Sequence, residues 1–168
     1  DGALIFRTTQ GNDFNGLSAI SNWNEFRMSA SMESVLKGYQ DPRIGEFYSP
    51  VAGTTDVFNG IRNGLSPADQ NLPENAATNN SNVGLRFNIA NQGSTPQNVI
   101  PAAESFFLRA EGALNGWNMG GTAKALYEQG IATSMKQWLP KVADDVVATY
   151  VASTNTPVAP GDQQNSPA

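Results

Sequence analysis

Pro101-Ala-Ala-Glu-Ser-Phe-Phe-Leu-Arg-Ala-Glu-Gly-Ala-Leu114 is the stretch whose reading decides the fold of this chain. Its apolar residues Ala103, Phe107, Ala110, Ala113 and Leu114, continued by Trp117, recur three or four apart, the spacing of one buried helical face. Pro101 suits a first helical turn, where its missing N–H would be an orphan anyway, and Glu104 lies near the positive end of the helix dipole. Asn115, Gly116, Gly120 and Gly121 break the pattern. Thr122 is a good N-cap for a second helix carrying Ala123, Leu126, Tyr127, Gly130, Ile131, Ser134, Met135 and Trp138, until Pro140 disfavours continuation. Residues 101–139 therefore read as a helical hairpin.

The offsets within that hairpin are close to those of a tetratricopeptide repeat, in which a large aromatic is followed by Leu-Gly and a second helix carries Ala-x3-Phe. Phe107, Ala110, Leu114, Ala123 and Tyr127 fall at those positions, and Gly130 is the small residue, expected opposite Ala110, that lets the helices approach. Ala110 and Glu111 depart from the preferred Leu and Gly, and Met135 from the frequent Pro, so a generic two-helix hairpin is the other reading. A single repeat cannot bury both of its faces.

The same run from Ala102 to Ile131 resembles the SusD/RagB family of nutrient-binding outer-membrane lipoproteins. So do Tyr39-Gln-Asp-Pro-Arg43 and Asn59-Gly-Ile-Arg-Asn-Gly-Leu65, and the three motifs occur in the family's order. The resemblance implies a mainly α fold, a fragment of a SusD-like α/α superhelix with one or more tetratricopeptide-like hairpins and a long irregular loop excursion. It also implies a surface-exposed outer-membrane protein that captures an oligosaccharide or other nutrient ligand for a SusC-like TonB-dependent transporter, held to the membrane only through a lipid anchor outside this chain. Members of the family are several times longer, so the 168 residues are expected to be an internal fragment.

Around the hairpin the chain is expected to divide at residues 1–99, loop-rich with one helix at about 22–37, then 100–153, the hairpin and a following helix, then an extended tail over 154–168. Ala3-Leu-Ile-Phe6 reads as a strand or an extended piece that has lost its neighbour, and residues 11–16 as a loop. In the first helix Met28, Met32, Val35 and Leu36 share a face, and Gly38 is the expected stop. Its start is open between Asn22, with Glu25 three later, and Ser29 or Ser31. Asp41-Pro42-Arg43 is a turn in which Arg43 is placed to pair with a carboxylate. Residues 44–51 read as a short strand or extended piece, and residues 53–97 as irregular apart from a weak strand signal at 83–89.

Composition closes off several chemistries. Ten basic residues against fifteen acidic ones give a net charge of −5 with no Lys/Arg stripe, which excludes nucleic acid as a partner. Without Cys or His there is no disulfide, no thiolate metal site and no usual general base. Asp144-Asp145 point in different directions on a helix whose apolar side is Val142, Val146 and Tyr150, and Gly116 to Gly121 lack the order of a phosphate loop. No catalytic residues, cofactor or metal site are assigned.

A sugar presents apolar C–H faces and hydroxyl edges, so a glycan site wants rings to stack on and fixed amides around them. Tyr48 and Phe58 with Asn59, Arg62 and Asn63 supply both, and are the expected ligand-binding residues. Phe58 and Arg62 have a second reading, as pins that hold the loop onto the helices. At the level of the whole chain the alternative to glycan capture is a helical-repeat scaffold that only docks the transporter.

Overall fold

In the computed structural model Thr122 caps the second helix of the hairpin as its position predicts, its hydroxyl accepting from the Ala125 N–H at 3.2 Å. Residues 2–6, 16–23, 25–88 and 95–154 are described, Asn22 by its backbone alone. They fall into two units, residues 1–7 with 96–153 and residues 8–95 with 154–168. Among the described residues the first unit is mainly helical, and the second carries three short helices and four 3-10 turns in otherwise irregular chain.

The first unit is built on α4 (Ala102–Leu114) and α5 (Ala123–Trp138). The two helices meet through Phe107 and Tyr127, whose ring centroids lie 5.5 Å apart in a tilted arrangement. Ala103, Ala110, Leu126 and Met135 are buried. A Cβ built on Gly130 would lie 2.5 Å from Phe107 Cε1, so the residue that needs a glycine there is Phe107 and not Ala110. The expected stripe is shorter than its spacing suggests: Leu114 is 79% exposed and Trp117 65%. The helix ends at Leu114, and the chain leaves the stripe through Asn115 and Gly116, the latter at φ +81°. Arg109 ties the connection down, donating from Nε and Nη2 to the Met119 carbonyl at 3.0 and 2.7 Å.

Pro101 is the residue before the first helical turn and not a member of it, because it also closes a strand. That strand, β2 (Gln97–Pro101), pairs antiparallel with β1 (Gly2–Ile5), matching Gly2 to Pro101 and Ile5 to Gln97 across an irregularity between Ala3 and Leu4. The opening apolar run therefore has its neighbour within this chain. At the other end Lys136 Nζ reaches Asp144 Oδ1 at 2.7 Å and links α5 to α6 (Asp144–Val151). Val147 is the buried residue of α6, and Val146 is exposed.

The second unit departs further from expectation. Helix is split between α1 (Gly16–Asn22) and α2 (Ala30–Gly38), with non-helical backbone at Phe26 to Arg27 between them. Ser29 is the N-cap of α2, accepting from the Met32 N–H at 3.2 Å. Its buried side is Ala30, Glu33 and Leu36, while Met32 and Val35 are exposed. The helix ends at Gly38 as expected, but the left-handed residue that closes it is Gln40, at φ +52°. The Gln40 N–H donates to the Lys37 carbonyl and the Asp41 N–H to the Leu36 carbonyl, the paired bonds of a Schellman cap. Arg43 then donates to both carboxylate oxygens of buried Asp41, the pairing expected of the turn.

Residues 44–47 form a helical turn, α3 (Ile44–Phe47), instead of a strand; only Tyr48 makes a bridge, antiparallel to Val83. Between residues 53 and 88 the chain is irregular, with four short 3-10 turns. Residue 89, the last of the weak strand signal, residues 11–15 of the expected loop and residues 155–168 of the expected tail lie outside the described residues.

Candidate ligand-binding site

The excursion is anchored by one segment, residues 81–84, buried at Ser81 and Gly84, which backbone bonds join to its neighbours. The Ser81 N–H donates to the Asn59 carbonyl at 2.9 Å, and its own carbonyl accepts from the Met28 N–H at 2.8 Å. Further along, the Ser49 N–H donates to the Asn82 carbonyl and the Gly84 N–H to the Phe47 carbonyl. Tyr48 and Asn59 thus flank the same segment. The loop between them is closed at its base, where the Val51 N–H donates to the Val57 carbonyl at 2.8 Å.

Glu33 reaches this anchor from α2. It is fully buried, accepts from the Gly60 N–H at 2.7 Å and is paired with Lys37 one turn on. A side chain at position 60 would run into the backbone of Ser29 and Ala30, so glycine is what allows Asn59-Gly60-Ile61 to lie against residues 28–30. The Ile61 N–H donates to the Met28 carbonyl, and the Ala30 N–H returns to the Ile61 carbonyl. Backbone polar groups that no sheet would pair are satisfied in this way.

The five expected ligand residues divide on this frame. Tyr48 and Phe58 are each half-buried, and their rings make no contact with each other among the described residues. Burial pushes the Tyr48 phenol above its ordinary value. Asn59 is committed to the frame: its N–H donates to Ser81 Oγ at 3.1 Å and its Nδ2 to the Asn79 carbonyl at 3.1 Å. Arg62 Nη2 stands 3.9 Å from Asp69 Oδ2, an exposed ion pair of modest worth. Asn63 is exposed at the turn that follows. Tyr48 is thus joined to the anchor at Val83 and Asn59 at Ser81, with Phe58 preceding Asn59 in the chain and Arg62 and Asn63 following it.

Composition alone hid what stiffens the rest of the excursion. Three 3-10 turns, Asp69–Asn71, Pro73–Asn75 and Ala77–Asn79, follow one another, each closing on an asparagine. Asn71 Nδ2 donates to the Pro67 carbonyl, Asn75 Nδ2 to Asp69, and Asn79 Nδ2 to Pro73, at 2.9, 2.9 and 2.7 Å. Buried Asn80 adds bonds to the Glu74 and Ala76 carbonyls. The readable signal was the fourfold spacing of Asn71, Asn75 and Asn79. Among the described residues no group of three or more His, Cys, Asp and Glu side chains is placed to hold a metal ion, and no helix is long and apolar enough to cross a membrane.

A mainly α chain with a tetratricopeptide-like hairpin and an asparagine-braced excursion has counterparts among known proteins. The family described as SusD-like, the Susd and RagB outer membrane lipoproteins, matches residues 3–167, and the chain belongs to it. That family is one of outer-membrane lipoproteins, which places the protein at the outer membrane. A chitin-binding SusD homolog from Flavobacterium johnsoniae is 39% identical, with a TM-score of 0.69 over 85% of this chain and 27% of that one. A susD homolog from Bacteroides thetaiotaomicron is 29% identical, with a TM-score of 0.71 over 93% of this chain and 30% of that one. A second SusD-like protein from the same organism is 38% identical, with a TM-score of 0.67 over 87% and 28%. This chain thus spans less than a third of the length of each of these structures. Among curated proteins none matches.

Proposed function

We infer that this protein is the glycan-binding component of an outer-membrane polysaccharide uptake system, capturing an oligosaccharide for a SusC-like TonB-dependent transporter without altering it. The observation that carries the reading is membership of the SusD-like family together with 39% identity to a chitin-binding member. Chitin oligosaccharides are accordingly the first ligands to try. Within this chain Tyr48 and Phe58 are the proposed stacking rings and Arg62 and Asn63 the proposed polar contacts, with Asn59 holding the loop that carries them. Half-buried rings suit the role, since a ring that is partly accessible can stack on a sugar while the rest of the residue is packed.

The scaffold reading is favoured by a different observation: Leu108, Leu114 and Trp117 on the hairpin and its connection are all more than half exposed, as a repeat that stacks on further repeats requires. The experiment is a glycan array on the full-length protein, followed by incubation with the best ligand and analysis of the sugar. Retention of an intact oligosaccharide supports capture without hydrolysis. Absence of any glycan binding favours the scaffold, and shortened sugars would make the protein an enzyme.

A further inference from the structure

We propose that Asn63-Gly64 is a site of spontaneous covalent modification, at which the fold leaves an asparagine open to succinimide formation while protecting two others of the same local sequence. Among the described residues Asn is followed by Gly at Asn59, Asn63 and Asn115. A fourth pair begins at Asn15, outside the described residues.

The chemistry sets clear requirements. The main-chain nitrogen of the following residue loses its proton and attacks the asparagine Cγ. A Cγ–N bond forms, the Cγ–Nδ2 bond breaks, and Nδ2 leaves as ammonia with the proton. Water then opens the five-membered ring at either carbonyl, giving aspartate or isoaspartate. Glycine favours the reaction because no Cβ obstructs the approach and its backbone is free to turn. A nitrogen that is donating its proton to a firm acceptor, or an amide held away from it, opposes it.

Asn59-Gly60 fails both requirements. The Gly60 N–H is donated to the buried carboxylate of Glu33 at 2.7 Å, and Asn59 Nδ2 is held by the Asn79 carbonyl at 3.1 Å. Asn115-Gly116 fails them as well, since the Gly116 N–H donates to the Ala113 carbonyl and Asn115 Nδ2 to that of Glu111, each at 3.1 Å. Asn63-Gly64 meets both. Asn63 and Gly64 are exposed, neither makes a hydrogen bond through its side-chain amide or N–H among the described residues, and a Cβ at Gly64 would meet nothing within 4 Å. The product adds a carboxylate next to Arg62, which already faces Asp69.

The test is a time course of the folded protein at mildly alkaline pH, read by peptide mass mapping that separates asparagine, aspartate and isoaspartate at each position, with a parallel sample in urea. The Asn63 peptide is expected to convert at least about tenfold faster than the Asn59 and Asn115 peptides, because opening those sites first requires breaking a hydrogen bond. Urea is expected to bring the three rates together. Equal rates in the folded protein would overturn the proposal. So would an Asn63 preference that persists undiminished in urea, which would make it a property of the local sequence and not of the fold.

Discussion

The Phe107 ring occupies the place that a side chain at position 130 would need, and the two helices of the hairpin are as close as they are because Gly130 has none. Gly130→Ala would add a good helix former, a gain of about 1 kcal/mol, yet push a methyl group against a ring that is also held by Tyr127. The overpacking penalty is about 1–3 kcal/mol, so the variant is expected to be less stable or at best neutral. Denaturant unfolding of Gly130→Ala, Phe107→Leu and the double variant measures it. The smaller ring-free side chain should relieve the alanine, making the double variant more stable than the sum of the single losses. Strict additivity would show that the two positions do not press on each other.

Gln40 pays for its place in the Schellman cap with a left-handed backbone that suits glycine. Gln40→Gly should therefore raise stability by about 1 kcal/mol, some 2–4 °C in Tm for a chain of this size. A lower Tm would mean that the Gln40 side chain makes a contribution larger than the strain it carries.

Glu33 holds the base of the excursion through one carboxylate, bonded to the Gly60 N–H and to Lys37. Glu33→Ala leaves a buried N–H unpaired and an ammonium without its partner, a loss of about 2–4 kcal/mol. Glu33→Gln keeps an acceptor for Gly60 and should fall between the alanine variant and the wild type. If the glutamine variant were as damaged as the alanine one, the ion pair with Lys37 and not the bond to Gly60 would be the larger part.

The hairpin was legible because everything that defines it is local: period, Thr122, and the glycines between the helices. β2 was not, since its pairing with β1 joins residues some hundred positions apart and Gln97-Asn98 carry no strand signal. α1 carries no periodic signal because its buried residues include Ser18 and Ser21, where a periodic reading looks for aliphatics. For α2 the spacing points to a different buried side for the converse reason: Glu33, of a residue type usually on the wet face, is inside, satisfied by a backbone N–H that no spacing rule reveals. The turn at Ile44–Phe47 is too short to show any period. In the candidate site the residue types were readable, but whether an amide is a brace or is open to solvent depends on long-range partners. Asn59, bonded to Ser81 and Asn79, and Asn63, which is open, look the same in sequence.

Burial of Tyr48 has a consequence at alkaline pH. Its folded pKa is raised, so the phenol stays protonated in the fold after an unfolded one has ionised, near pH 10. Stability associated with the neutral phenol is complete below that pH and is lost as pH rises through the folded value. Absorbance titration of wild type and Tyr48→Phe isolates the group: the difference should be a phenol that ionises later than an ordinary tyrosine. A difference spectrum titrating at the ordinary value would place the ring in solvent.

Calorimetric titration of the full-length protein with chitin oligosaccharides, or with the glycan an array selects, beside its Tyr48→Ala and Phe58→Ala variants, tests the glycan-binding claim most directly. Loss of one stacked ring should weaken binding by about 1–3 kcal/mol, roughly ten- to a hundredfold, with melting curves showing that each variant remains folded. Unchanged affinity in both folded variants would contradict a site at residues 48–63.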